Sequence, residues 1–108
     1  MTQPERRLLT ILAADVVGFS RLAEWDEART LRALERLLQE AIEPAVAGHF
    51  GRIVKLMADG VLASFDSVVD AVRCAIAIQR EATRQQADAA VDERLALRIG
   101  INLGDAVI

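Results

Sequence analysis

An α+β fold is the expectation: an antiparallel sheet with both helices on one of its faces, the elements running βαββαβ. Three features point to it. Residues 8–16 form a continuous apolar run that reads as a strand buried on both sides. Two later stretches repeat their apolar residues at the helical period. Two short strand-like runs flank Asp59-Gly60, a dipeptide typical of hairpin turns.

The first strand, Leu8 to Val16, is bounded by Gly18, and from Ser20 the period changes. Leu31, Leu34, Leu38, Ala41, Ile42 and Val46 recur at helical spacing behind Asp26, which is placed to cap the main segment. Pro44 is expected to kink this helix or restart it, because proline lacks the N–H the helix interior needs. Gly48 and Gly51 punctuate the chain before a strand at Arg52 to Met57, and Val61 to Phe65 makes the next. Ser67-Val68-Val69-Asp70 has the form of a capping box, and Val69, Val72, Ala75, Ile76 and Ala82 supply the stripe of a second helix. A polar stretch over 84–94 leads to a last strand at 95–102. This is the split, ferredoxin-like arrangement, in which the first and third elements of the βαβ unit, the strands at 8–16 and 52–57, are expected to lie centrally. The end of the first strand then comes beside the hairpin turn. The expected organisation is an N-terminal tail over 1–7 and one domain over 8–108.

Composition narrows the function classes. At 108 residues and 53% apolar, the chain suits one compact domain with a modest core. Thirteen basic against 16 acidic residues give a net charge of −3 without a basic block, so nucleic acid is not the expected partner. No stretch reaches the roughly 18 apolar residues of a membrane span, and the N-terminus carries Glu5, Arg6 and Arg7 rather than a signal sequence. A single cysteine, Cys74, sits in an apolar helical pattern and reads as a core residue. A cytoplasmic location is the default.

Two carboxylates carry the chemistry. Asp15 stands where the first strand turns into a helix, and Asp59 stands in the hairpin turn. Acids at the ends of core strands call for a cation or strong donors, and two of them on adjacent strands can hold a hard divalent metal. Mg²⁺ takes one or two carboxylates and completes its shell with water and substrate phosphates. The amides of Val17, Gly18, Phe19 and Ser20 open a helix and could face an anion, with Gly18 permitting close approach. Two ions would suit phosphoryl or nucleotidyl chemistry without a protein nucleophile.

Four blocks, Ala13 to Leu22, Gly51 to Gly60, Ser67 to Val72 and Arg98 to Asp105, resemble in order the class III adenylate/guanylate cyclase catalytic domain. The resemblance implies a nucleotide cyclase-like fold and a phosphorus-oxygen lyase activity in signal transduction: ATP converted to cyclic AMP and pyrophosphate. It implies two Mg²⁺ or Mn²⁺ ions on Asp15 and Asp59, with a backbone carbonyl from Val16, and a triphosphate held by the Val17 to Ser20 amides. It also implies a site shared across a head-to-tail homodimer. Lys55 falls on the purine-recognition lysine: an ammonium donates to adenine N1, whereas guanine N1 carries a hydrogen and would meet it donor to donor.

The match covers the N-terminal portion of the family domain. The segment with the second purine contact and the transition-state Asn and Arg is expected beyond Ile108, which leaves the activity of these residues by themselves open. Ala58 stands where the family usually has Gly. If that turn needs a positive φ, alanine costs about 1 kcal/mol or more; if not, it is nearly neutral.

Plainer readings stand beside these. Asp15 could cap a helix, Lys55 could be an outward residue of an alternating strand, and Asp105 could be a turn residue. His49 has no second imidazole with which to bind zinc, and Phe19 and Trp25 read as core or interface aromatics. The alternative function is a non-catalytic cyclase-homology module that binds nucleotide or dimerises. A diguanylate cyclase is disfavoured because no GGDEF-type signature surrounds Asp59.

Overall fold

The computed structural model describes residues 6–107. The elements are β1 (Arg6–Val16), α1 (Phe19–Trp25), α2 (Glu27–Leu37), a π-helical turn (Leu38–Ile42), α3 (Glu43–Gly48), β2 (Arg52–Met57), β3 (Gly60–Phe65), α4 (Val68–Gln85), a 3₁₀ turn (Val91–Glu93) and β4 (Leu97–Val107). All strand pairs are antiparallel and the sheet order is β2-β3-β1-β4, so β1 is central as expected, whereas the second central strand is β3 and β2 lies at the edge.

Alternation along β1 divides the sheet into two faces. Thr10, Leu12, Ala14 and Val16 are buried, and Leu12 and Ala14 join Val61, Ala63 and Phe65 of β3 under the helices. Ile42 and Val46 cover them from the first helical segment, and Ala71, Cys74 and Ile78 from α4. Both helical segments therefore lie on one face. A second cluster of Val16, Leu37, Ala41, Ala82 and Leu95 extends this layer.

Local chemistry explains most boundaries. Asp26 caps α2, its carboxylate accepting from the Arg29 N–H at 3.1 Å. The Ser67 hydroxyl accepts from the Asp70 N–H at 3.2 Å and opens α4. Pro44 lies in the first turn of α3, where a missing N–H is tolerated, and the helix reaches it through the π turn. At the end of α3 the Gly51 N–H donates to Val46 O and the Phe50 N–H to Ala47 O, which is a Schellman closure. Its left-handed seat is taken by Phe50, at φ 64° and exposed, a position that glycine fills at less cost. Gly51 is needed for another reason: a Cβ there would lie 2.4 Å from the Phe65 ring.

Three further expectations are corrected. The buried face of α4 is Ala71, Cys74, Ile78 and Ala82, whereas Val69, Val72 and Ile76 are exposed. The first helical segment buries Leu37 and leaves Leu31 exposed. The last strand starts at Leu97 and continues to Val107, because β1 offers partners along its whole length; Asp105 pairs with Leu8 inside the ladder and is not a turn residue. Of the expected tail over 1–7, residues 1–5 lie outside the described residues, and Arg6 and Arg7 belong to β1. No helix among the described residues is long and apolar enough to cross a membrane.

Candidate metal and nucleotide site

The face of the sheet away from the helices is built in rows. Cross-strand partners share a face, so Met57, Gly60, Asp15 and Arg98 form one row, and Lys55, Leu62, Ala13 and Gly100 form the next. Asp15 ends β1 opposite Gly60, the residue after Asp59. The Val16 N–H donates to the Asp59 carbonyl at 3.0 Å, which ties the hairpin turn to the end of β1. In a strand the N–H and C=O of one residue point the same way, so the Val16 carbonyl is aimed toward that turn while its side chain is buried in the core.

The turn itself differs from expectation. Its two linking residues are Ala58 and Asp59, between the paired Met57 and Gly60. Among the described residues other than glycine, only Phe50 has a positive φ, so Ala58 fits its position without backbone strain. Gly60 is required by proximity: a Cβ there would sit 2.5 Å from the Ala14 carbonyl oxygen and 3.2 Å from the Asp15 Cβ. The glycine lets β3 close against β1 where the acids stand.

Between β1 and α1, Gly18 takes φ 69° and forms the N-cap of α1 without a side-chain cap. The Val17 N–H donates to the Ala96 carbonyl at 2.9 Å. That corrects the expectation that four successive amides face an anion. The amides of Gly18, Phe19 and Ser20 donate to no loop or cap carbonyl among the described residues, as a helix start leaves them.

The charge at the site is balanced by an arginine that the sequence reading did not single out. Arg98 donates from Nε to Asp15 Oδ1 at 3.1 Å and from Nη2 to Oδ2 at 3.0 Å. Its pKa is raised, first by this hydrogen bond, then by the Asp15 charge and by that of Asp59. Asp15 thus already takes a cation at this end of the sheet, and a carboxylate so placed fits a hard divalent ion. No group of three or more His, Cys, Asp or Glu that could hold a metal occurs among the described residues, so water, a carbonyl or a ligand would complete such a shell. The missed signal was register: β1 and β4 lie far apart in the chain, and only their ladder sets Arg98 opposite Asp15.

Lys55 stands on the same face, in the next row and two strands from Asp15, roughly 12 Å away from strand spacing and rise. None of the ion pairs among the described residues includes it. The structure thus gathers Asp15, Val16, Gly18, Phe19, Ser20 and Asp59 at one end of the sheet and leaves Lys55 apart. On the helix side of the turn lies a mainly apolar cavity of about 220 Å³, lined by Leu31, Leu34, Leu38, Leu56 and Val61 and reached by the turn residues Ala58 and Asp59. It is small and greasy for a nucleoside triphosphate, whose pockets usually run to roughly 300–1,000 Å³.

No family model matches the sequence. The chain is 47% identical over 103 residues to a Rhizobium meliloti (strain 1021) protein named "Putative adenylate cyclase 3", an alignment that takes in 95% of this chain and 18% of that protein. A crystal structure of an adenylate/guanylate cyclase/hydrolase from Silicibacter pomeroyi superposes with a TM-score of 0.87 at 45% identity, over 98% of this chain and 62% of that one. The guanylyl cyclase Cya2 superposes with a TM-score of 0.79 at 27% identity, over 96% of this chain and 57% of that one. The chain spans less than two thirds of the length of each of these relatives. Sequence and fold agree, and the chain belongs to the class III adenylate/guanylate cyclase family.

Proposed function

We propose that this chain is part of an adenylate cyclase catalytic domain, which converts ATP to cyclic AMP and pyrophosphate at the interface of a homodimer in intracellular signalling. The observation that supports the reading is the closure of the hairpin turn on the end of β1, where the Val16 N–H donates to the Asp59 carbonyl and Asp15 lies opposite Gly60. Asp15, Asp59 and the Val16 carbonyl would hold the metal. Mg²⁺ or Mn²⁺, two ions in this reading, would supply Lewis-acid activation of the ribose hydroxyl and neutralise phosphate charge.

The chain's own residues do the rest of the binding. Gly18, Phe19 and Ser20 present unpaired amides to the triphosphate at a turn that only a small residue makes easily. Lys55 donates to adenine N1, and its separation from the acids suits service in the site of a second copy. The adenine preference rests on Lys55, since a guanylyl cyclase shares the fold. ATP as substrate places the reaction in the cytoplasm.

Calorimetric titration of the chain with Mn²⁺-ATP and Mn²⁺-GTP tests this. ATP should bind in a metal-dependent way and more tightly than GTP, and Lys55→Ala should narrow the gap. Asp15→Ala and Asp59→Ala should each remove the metal dependence while the chain stays folded by circular dichroism. Metal-dependent binding retained in both variants would show that these aspartates are not the metal ligands.

A further inference from the structure

Arg98 and a metal ion compete for Asp15. The guanidinium fork takes one lone-pair site on each carboxylate oxygen, at 3.1 and 3.0 Å, along the edge that suits an ion binding both oxygens, and leaves only the outer sites to an ion at roughly 2.0–2.1 Å. A cation already there also repels a second one. The pair is held by backbone register, since Asp15 and Arg98 are direct cross-strand partners in the β1-β4 ladder. It is not held by packing. The Arg98 side chain is 72% exposed and that of Asp15 39%, so the fork can swing into water without disturbing the core.

We propose that Arg98 is a latch on the metal site: in the chain without metal it closes Asp15, and a divalent ion gains both oxygens of this carboxylate only by releasing the arginine. The proposal rests on the metal reading given under Proposed function. The latch serves two ends. It compensates the Asp15 charge when no ion is present, and it lowers the affinity for free metal. Exposed pairs are weak, so the latch opens readily; the penalty on metal binding is up to about fivefold in affinity. A buried pair would block the site instead.

The test is a Mg²⁺ titration of the full chain followed by ¹⁵N NMR at mildly acidic pH, reading the Arg98 Nε–H together with the Asp15 and Gly60 amides. The Nε–H should start hydrogen-bonded and lose its shift and protection at the midpoint at which the two amides move. Arg98→Lys keeps the charge but not the fork, and it should bind Mg²⁺ up to about fivefold more tightly. A simple charge effect would leave that variant unchanged. If Mg²⁺ moves the Asp15 and Gly60 amides while the Arg98 Nε–H stays in place, or if Arg98→Lys binds no better, the latch is overturned and the metal reading stands. If Mg²⁺ moves neither amide, the metal reading fails and the latch with it.

Discussion

The two faces of this sheet are made by the same strands and obey opposite rules. Under the helices, Leu12, Ala14, Val61, Ala63 and Phe65 are sealed from water, and each is held by what surrounds it. On the open face, Asp15, Lys55 and Arg98 are held mainly by register and leave their polar ends in solvent. The difference separates what keeps the chain folded from what lets it bind. A side chain on the first face should change stability without chemistry, and one on the second should change chemistry with little cost in stability.

The largest effect expected from that division is at Leu12, which is fully buried at the centre of the core. Leu12→Ala should cost about 3 kcal/mol, the transfer term plus the cavity it leaves, read as a shift in the urea midpoint at constant slope. A loss under about 1 kcal/mol would mean that the helical layer collapses onto the sheet and that the faces are less distinct than they look.

A second test sharpens the boundary within one helix. Ile78 is fully buried and Ile76 is exposed on α4. Ile78→Ala should cost about 2–4 kcal/mol, and Ile76→Ala less than about 1. Equal losses would mean that the exposed side of α4 is covered in solution, as by a second copy.

This helix is also where the sequence was least legible. Val69, Val72 and Ile76 make the louder hydrophobic stripe, but the buried face uses Ala71, Cys74 and Ala82 around Ile78. Small residues let a helix lie close on a sheet, and they weaken the periodic signal that reveals the face. Strands β2 and β3 and the caps Asp26 and Ser67 were readable because local chemistry alone defines them. So was the meeting of Asp15 with the Asp59 turn, which follows from topology. The role of Gly60 was not: it looked like a turn glycine and is required instead by the approach of the Ala14 carbonyl. The Val17 amide was misread for the same kind of reason, since its partner, Ala96, lies on another strand.

A third way to probe the buried face uses pH. Burial pushes the Cys74 thiol up from its ordinary value of 9.0 to about 11. The unfolded chain therefore loses this proton at a lower pH than the folded chain. The sign follows: the contribution of Cys74 to stability is fully present below about pH 9 and is lost as pH rises toward about 11. The sequence has no tyrosine to add to this window. Thermal midpoints should fall across it, and Cys74→Ala should flatten the decline while lowering stability at neutral pH. A fall of equal size in that variant would place the alkaline transition elsewhere.

The smallest stability effect is expected at the residue that matters most for binding. Asp15→Asn breaks the fork with Arg98, but exposed pairs contribute only about 0–1 kcal/mol. Asparagine keeps the shape and can still accept one of the two hydrogen bonds. The melting temperature should therefore move by no more than about two to four degrees, on the order expected for about 0.5 kcal/mol. Its dependence on salt should shrink, since the screened pair is gone. A large destabilisation would make Asp15 a structural anchor of the β1-β4 ladder, and the open face would then be part of what folds the chain. A small one leaves its carboxylate free of structural duty, as a group meant to change partners must be.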